Sequence, residues 1–100
     1  MAELCLTLLC PPAIEEKLLD LLLMSPITTV FTSTATAAHG LPAGILSQSE
    51  QVLGRAHTIQ IQVIAPAADM VTLLDQFRLQ FAGAGLRYWM TSVVETGKIA

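Results

Sequence analysis

The sequence predicts an α+β sandwich, and three observations lead to this prediction. Segments in which apolar residues recur at every second position indicate four strands, and two segments with a helical period indicate helices. These segments follow one another in the order β-α-β-β-α-β. A length of 100 residues supports one hydrophobic core. We therefore expect a single domain over residues 1–100, a ferredoxin-like split βαβ fold with two helices on one face of a four-stranded antiparallel sheet.

The first strand and the first helix are predicted from the N-terminal part of the chain. Leu4, Leu6 and Leu8 alternate with other residues, which is typical of a strand with one apolar face. Pro12 suits the first turn of a helix, so we predict a helix over about residues 13–24. The residues that should face the core recur at helical spacing: Ile14, Leu18, Leu21 and Leu22.

The two middle strands are predicted from composition and alternation. Apart from Phe31, residues 27–38 are β-branched or small, which favours a strand. Glycine and proline then recur over residues 39–54 and predict a long loop, and loops of this length are often functional or mobile. Residues 57–65 alternate cleanly and predict the third strand.

The second helix has the clearest pattern in the chain and follows Pro66. Its apolar residues recur at helical spacing: Met70, Leu73, Leu74, Phe77 and Phe81. Gly83 and Gly85 should end this helix, and residues 86–95 form the predicted last strand.

Charge and composition exclude some partners and favour others. Five Lys or Arg against eight Asp or Glu give a net charge of −3, so we expect no nucleic-acid partner. Apolar residues make up 53% of the chain and charged residues 13%, which is more apolar surface than one small core hides. Leu19 and Leu23 widen the apolar arc of the first helix beyond what one sheet should cover. A homo-oligomer is therefore expected.

The cysteines and the hydropathy pattern predict the compartment. Cys5 and Cys10 are the only cysteines, and their odd spacing on one strand puts their side chains on opposite sheet faces, where they cannot pair. This favours a reduced, cytoplasmic compartment. No run of about 18 apolar residues is present, so we do not expect the chain to span a membrane.

The sheet face away from the helices is predicted to be neutral. Its side chains should be hydroxyls, amides and small apolar groups: Cys5, Thr7, Leu9, Thr32, Thr34, Thr36, Thr58, Gln60 and Gln62. A solvated sheet face usually carries charge. The composition therefore favours a face buried between identical subunits, and a plain solvated face is the alternative.

The residues that bracket the long loop are the candidates for chemistry. If Ala37 pairs with Ile59, His39 faces His57, and these imidazoles together with Glu50 form a candidate metal site. The alternative is structural: His39 caps a turn, and His57 is an exposed strand terminus.

The two arginines next to the predicted strands have two interpretations. Arg55 and Arg87 either bind an anion or are surface cations that pair with Glu50 and Glu95. No Gly-x-Ser-x-Gly motif is present and the cysteines have no activating neighbour in sequence, so we expect no enzyme activity. Tyr88 and Trp89 should lie on opposite faces of the last strand, one under the helices and the other at a subunit neighbour or the loop.

Several motifs in combination resemble a small bacterial PII-like family that is catalogued as a domain of unknown function. The motifs are PPAIEEKLLDLLL at the first helix, Ala38-His39-Gly40, Glu50-x-Val52-x-Gly54-Arg55, Tyr88-Trp89, Ser92-Val93 and Gly97. The resemblance covers nearly the whole chain. It implies a subunit of the superfamily that includes PII signalling proteins and the divalent-cation tolerance protein CutA. These proteins are trimers with inward-facing sheets and a T-loop between the second and third strands.

The resemblance also implies a role, with one departure. Members of the family tend to be encoded beside heavy-metal efflux pumps, which implies a regulatory protein that acts on a membrane transporter through its T-loop, with a small effector in the clefts. The cleft residues are the polar groups near the loop: His39, Glu50, Arg55 and His57. Nitrogen-regulatory PII proteins carry Lys and Tyr in the T-loop and a Lys-containing glycine turn, both of which this sequence lacks, so nucleotide binding is not expected.

Two alternatives to this regulator remain. One is a CutA-like metal-binding protein in which His39 and His57 bind a divalent metal, the one candidate cofactor. The other is a structural oligomer without a ligand.

Overall fold

A four-stranded antiparallel sheet is the centre of the fold. The strands are β1 (Glu3–Cys10), β2 (Phe31–His39), β3 (Arg55–Pro66) and β4 (Arg87–Val93), and they lie in the order β2-β3-β1-β4. The central strands β1 and β3 carry the most apolar segments, and β2 and β4 form the edges. This is the predicted sheet of the ferredoxin-like fold.

The structure is a computed structural model, and it describes residues 2–27, 30–40 and 55–100. Two α-helices connect the strands within these segments: α1 (Glu15–Met24) and α2 (Ala67–Gln80). Both helices pack on the same face of the sheet, as predicted. Neither is long and apolar enough to cross a membrane.

The proline and the glycines that were predicted to bound the two helices lie at the helix ends. Pro12 opens a short 3-10 turn over Pro12–Ile14, in which the amide of Ile14 donates to the carbonyl of Pro11 at 3.1 Å, and α1 follows directly. At the end of α2 the amide of Phe81 donates to the carbonyl of Phe77 at 2.8 Å. Gly83 then adopts a φ of +79°, a left-handed conformation that a side chain would disfavour.

The core lies between the helices and the inner face of β1 and β3. Every predicted core residue of the second helix is buried or packs against this core. The buried cluster consists of Leu6, Leu8, Cys10, Leu18, Leu22, Ile61, Val63, Ala65, Met70, Leu73, Phe77 and Phe81. Leu19 packs against the cluster, whereas Leu23 is 70% exposed, so only one of the two surplus leucines remains on the surface of the subunit.

Two strand boundaries differ from the prediction. The amide of Ile27 donates to Oγ of Ser25 at 3.3 Å, which holds the chain in a bend, and β2 starts only at Phe31 rather than at residue 27. β3 begins at Arg55, two residues before the predicted start, because Arg55 still pairs with His39.

Candidate functional site

The base of the predicted loop is defined by the pairing of β2 with β3. Ala37 pairs with His57 and Ala35 pairs with Ile59, so the predicted pairing of Ala37 with Ile59 is wrong by two residues. As a result His39 pairs with Arg55 rather than facing His57. A slip of two residues leaves every side chain on the same face, so the alternation of the two strands does not distinguish the predicted register from the observed one.

The two histidines nevertheless lie on the same sheet face. Residues with alternating numbers share a face, so His39 and His57 are diagonal neighbours, a relation that typically separates side chains by about 7–8 Å. Both are exposed. Glu50 and the side chain of Arg55 lie outside the described residues. Within the described part of the chain, no three metal-binding side chains come together.

The sheet face opposite α1 and α2, called the open face from here on, is built from aligned rows. One row crosses all four strands in the order Thr32, Gln62, Thr7 and Trp89. Nε2 of Gln62 donates to Oγ1 of Thr7 at 3.3 Å, and Thr7 is only 2% exposed although neither α1 nor α2 packs on this face. The side chain of Gln62 is one of the groups that cover Thr7.

Among the described strand residues, the open face is neutral in its middle and carries charge at its ends. The next row contains Thr34, Gln60, Leu9 and Arg87, and Glu3 lies at the opposite end of β1. The prediction of a neutral face left out these two charges. Because both charges lie at the ends of the face, its middle still consists of hydroxyl, amide and apolar groups.

The aromatic pair on β4 lies on opposite faces, as predicted. Trp89 lies on the open face next to Thr7 and is 47% exposed. Tyr88 lies on the helix side of the sheet, opposite Leu8, and is 46% exposed. Nη2 of Arg78 on α2 donates to Oη of Tyr88 at 3.3 Å, which joins the end of this helix to the edge strand.

A cavity of about 230 Å³ lies between the end of α2 and β4. Apolar side chains form most of its wall, and Arg78 and Tyr88 contribute the polar groups. Its lining includes Leu8, Leu74, Phe77, Phe81, Leu86 and Tyr88. The sequence did not predict this cavity, because hydrophobic period assigns a face to each residue of α2 and β4 but does not show the space left between them.

A second concavity lies between the two helices. Its wall contains Lys17 and Asp20 from α1 and Gln76 and Gln80 from α2. Oε1 of Gln76 is buried there and accepts no hydrogen bond. Burial of an amide oxygen without a donor costs free energy, so this oxygen of Gln76 lowers the stability of the fold.

The cysteines differ in environment. Cys10 is 1% exposed on the helix side, and burial together with the nearby charge of Glu15 raises the pKa of its thiol from 9.0 to about 11. Cys5 is half-buried on the open face. Both are free thiols on opposite faces, as predicted.

A match to a sequence-family model shows the protein family of this chain. The model described as "Protein of unknown function (DUF3240)" matches residues 1–100. The chain belongs to this family. No curated protein matches it by sequence.

Solved structures place this DUF3240 protein next to PII-like folds. A DUF3240 family protein from Shewanella baltica has a TM-score of 0.83 at 18% identity, over 100% of this chain and 99% of that one. A protein from Thermus thermophilus described as PII-like and signalling has a TM-score of 0.67 at 13% identity, over 93% of this chain and 88% of that one.

The ATP complex of GlnK from B. subtilis has a TM-score of 0.61 at 13% identity, over 92% of this chain and 82% of that one. These values confirm the predicted fold, and the match of the family model to residues 1–100 confirms the predicted membership in a family of unknown function. The link to heavy-metal efflux, the trimer and the role of the loop stay predictions.

Proposed function

We propose that this DUF3240 protein is a PII-like, non-enzymatic regulatory protein that assembles as a trimer around its open faces. The segment between β2 and β3 acts as the T-loop and contacts a membrane transporter of heavy-metal efflux. A small effector binds in the clefts at the loop base, near His39, Glu50, Arg55 and His57. The structural similarity to PII-like proteins supports the assignment to this class of protein.

The neutral centre of the open face is the observation that carries the proposal. Thr32, Thr34 and Thr36 are exposed in the single subunit, although they lie on a sheet face with no charge near its centre. Hydroxyls and amides can bond to copies of themselves across a symmetry axis. The half-exposed ring of Trp89 adds apolar area to the same face, as at the core of many subunit interfaces.

Native mass spectrometry of two matched variants tests the trimer. Thr34→Lys puts an ammonium on the open face, near the middle of the edge strand β2, whereas Thr72→Lys puts the same charge on the exposed side of α2. Burying an unpaired charge costs several kcal/mol, so dissociation of the Thr34→Lys trimer should be favoured by at least about 100-fold. A wild-type monomer, or a trimer that tolerates Thr34→Lys, contradicts the proposal.

The thiol of Cys5 gives an independent measurement of the same face. Cys5 lies on the open face and pairs with Ile64 and Thr91. In the trimer its alkylation should be slower than in the Thr34→Lys monomer. Equal alkylation rates in the two proteins would show that the open face stays exposed to solvent.

A CutA-like metal-binding protein is the second candidate. It is favoured by the placement of His39 and His57 on the same face as diagonal neighbours. Calorimetric titration with copper, zinc and cobalt tests it, with His39→Ala and His57→Ala as variants. Binding no tighter than about 1 mM, equivalent to ~4 kcal/mol, excludes this candidate.

A further inference from the structure

The cavity between α2 and β4 has an apolar interior. Leu8 is 1% exposed and Phe77 is 4% exposed, so its inner wall belongs to the hydrophobic core. An apolar cavity of roughly 150 Å³ accommodates a benzene ring. The volume here is about 230 Å³, which leaves room for a further group of a few atoms.

Polar groups occur at the exposed side of this cavity. Arg78 has a side chain that is 62% exposed, and its guanidinium contacts two groups. Nη1 lies 3.4 Å from Oδ1 of Asp75, and Nη2 lies 3.3 Å from Oη of Tyr88. Both distances exceed the 2.7–2.9 Å that is typical of strong charge-assisted hydrogen bonds. The guanidinium therefore retains donors that a closer acceptor can use.

The phenol of Tyr88 adds a second donor at the same place. Its oxygen accepts the hydrogen bond from Arg78, so its own hydrogen can be donated to a ligand. A planar carboxylate matches a guanidinium because it accepts two parallel hydrogen bonds. An apolar interior with two such donors at its rim fits a molecule that is apolar at one end and anionic at the other.

We propose that this cavity binds a small carboxylic acid with a compact apolar body, such as an aromatic ring or a branched aliphatic chain. The apolar body occupies the space between Leu8, Phe77 and Phe81, and the carboxylate accepts hydrogen bonds from Arg78 and Tyr88. The site lies within one subunit and on the helix side of the sheet. It therefore does not depend on the trimer or on the loop-base cleft.

Sodium benzoate is the probe, and nuclear magnetic resonance of the full, ¹⁵N-labelled chain is the measurement. We expect amide shifts to change at Leu8 and at residues 74–88, which include the rest of the cavity lining, with a dissociation constant of about 1 mM or tighter. Shift changes elsewhere, or no saturable change, overturn the proposal. If a second copy of the chain already fills the cavity, no saturable change will be seen, and this result also overturns the proposal.

Variants of two arginines separate binding in this cavity from general attraction of anions. Arg78→Gln removes the guanidinium at the rim, and Arg87→Gln removes the same charge from an exposed position outside the cavity lining. Loss of a hydrogen bond to a charged group weakens binding by about 10-fold or more. We expect this loss for Arg78→Gln and unchanged binding for Arg87→Gln; equal effects of the two substitutions overturn the proposal.

Benzamide is the matched neutral probe. It keeps the ring of benzoate but lacks the charge, so Arg78→Gln should change its affinity much less than that of benzoate. If both probes lose affinity to the same extent, Arg78 supports the cavity wall rather than binding a carboxylate, and the proposal fails.

Discussion

The buried thiol of Cys10 should make the stability of this protein depend on alkaline pH. Cys10 lies opposite Ile59 on the inner face of β1, close to the start of α1. Burial, and then the charge of Glu15, raise its pKa from 9.0 to about 11. The folded state therefore disfavours the thiolate, whereas the unfolded chain ionises at the ordinary pKa.

The size and sign of the effect follow from this difference. A difference of two pKa units corresponds to about 2.7 kcal/mol between the two protonation states. Below pH 9 the thiol is neutral in both the folded and the unfolded state, so ionisation of Cys10 does not reduce the free energy of unfolding. As the pH rises from 9 to 11 the unfolded chain ionises first, and its free energy falls relative to that of the folded state. We expect the free energy of unfolding to fall by about 2–3 kcal/mol over this range because of Cys10.

Urea unfolding between pH 8 and pH 11, at one protein concentration and with a reducing agent, measures this loss. Cys10→Ala has a lower stability at every pH, but it lacks the part of the pH dependence that comes from this thiol. Cys5→Ala is the matched control and should retain the wild-type loss. If Cys10→Ala loses as much stability as the wild type between pH 9 and pH 11, the argument from burial is refuted.

Four further substitutions test the packing around the two helices, each measured by urea unfolding. Gln76→Leu removes the buried oxygen that accepts no hydrogen bond and should stabilise the fold by about 1 kcal/mol; destabilisation would contradict this. Leu18→Ala should cost about 2–5 kcal/mol because Leu18 is fully buried, whereas Leu23→Ala, at a site that is 70% exposed, should cost less than about 0.5 kcal/mol. Gly83→Ala should cost about 1 kcal/mol because alanine disfavours a φ of +79°. A steric clash does not contribute, because the new Cβ would meet no atom within 4 Å, and an unchanged stability would contradict this prediction.

The elements and their faces could be predicted because hydrophobic period is a local property. Phe77 and Leu73 face the core since helical spacing puts them on one side, and Leu6 and Leu8 do so since strands alternate. Such patterns need no knowledge of the rest of the chain. They were sufficient to predict both helices, all four strands and the face on which the helices lie.

The register of β2 against β3 could not be predicted, and the reason is physical. A slip of one residue would turn every side chain to the other face, but a slip of two residues keeps all faces the same. The predicted pairing of Ala37 with Ile59 and the observed pairing with His57 differ by two residues. Small residues such as Ala35 and Ala37 make few cross-strand side-chain contacts, so they favour neither register over the other. The predicted contact between the histidines depended on this choice.

The two proposals involve opposite sides of one edge strand, and this makes them separable. Tyr88 contributes to the cavity on the helix side, and Trp89, the next residue, contributes to the open face. Thr34→Lys changes the open face on β2, at the opposite edge of the sheet from β4, and leaves the cavity lining intact, so benzoate should still bind to the dissociated subunit. Arg78→Gln changes the cavity rim and leaves the open face intact, so the trimer should persist. Because each substitution leaves the other surface unchanged, failure of one proposal cannot be mistaken for failure of the other.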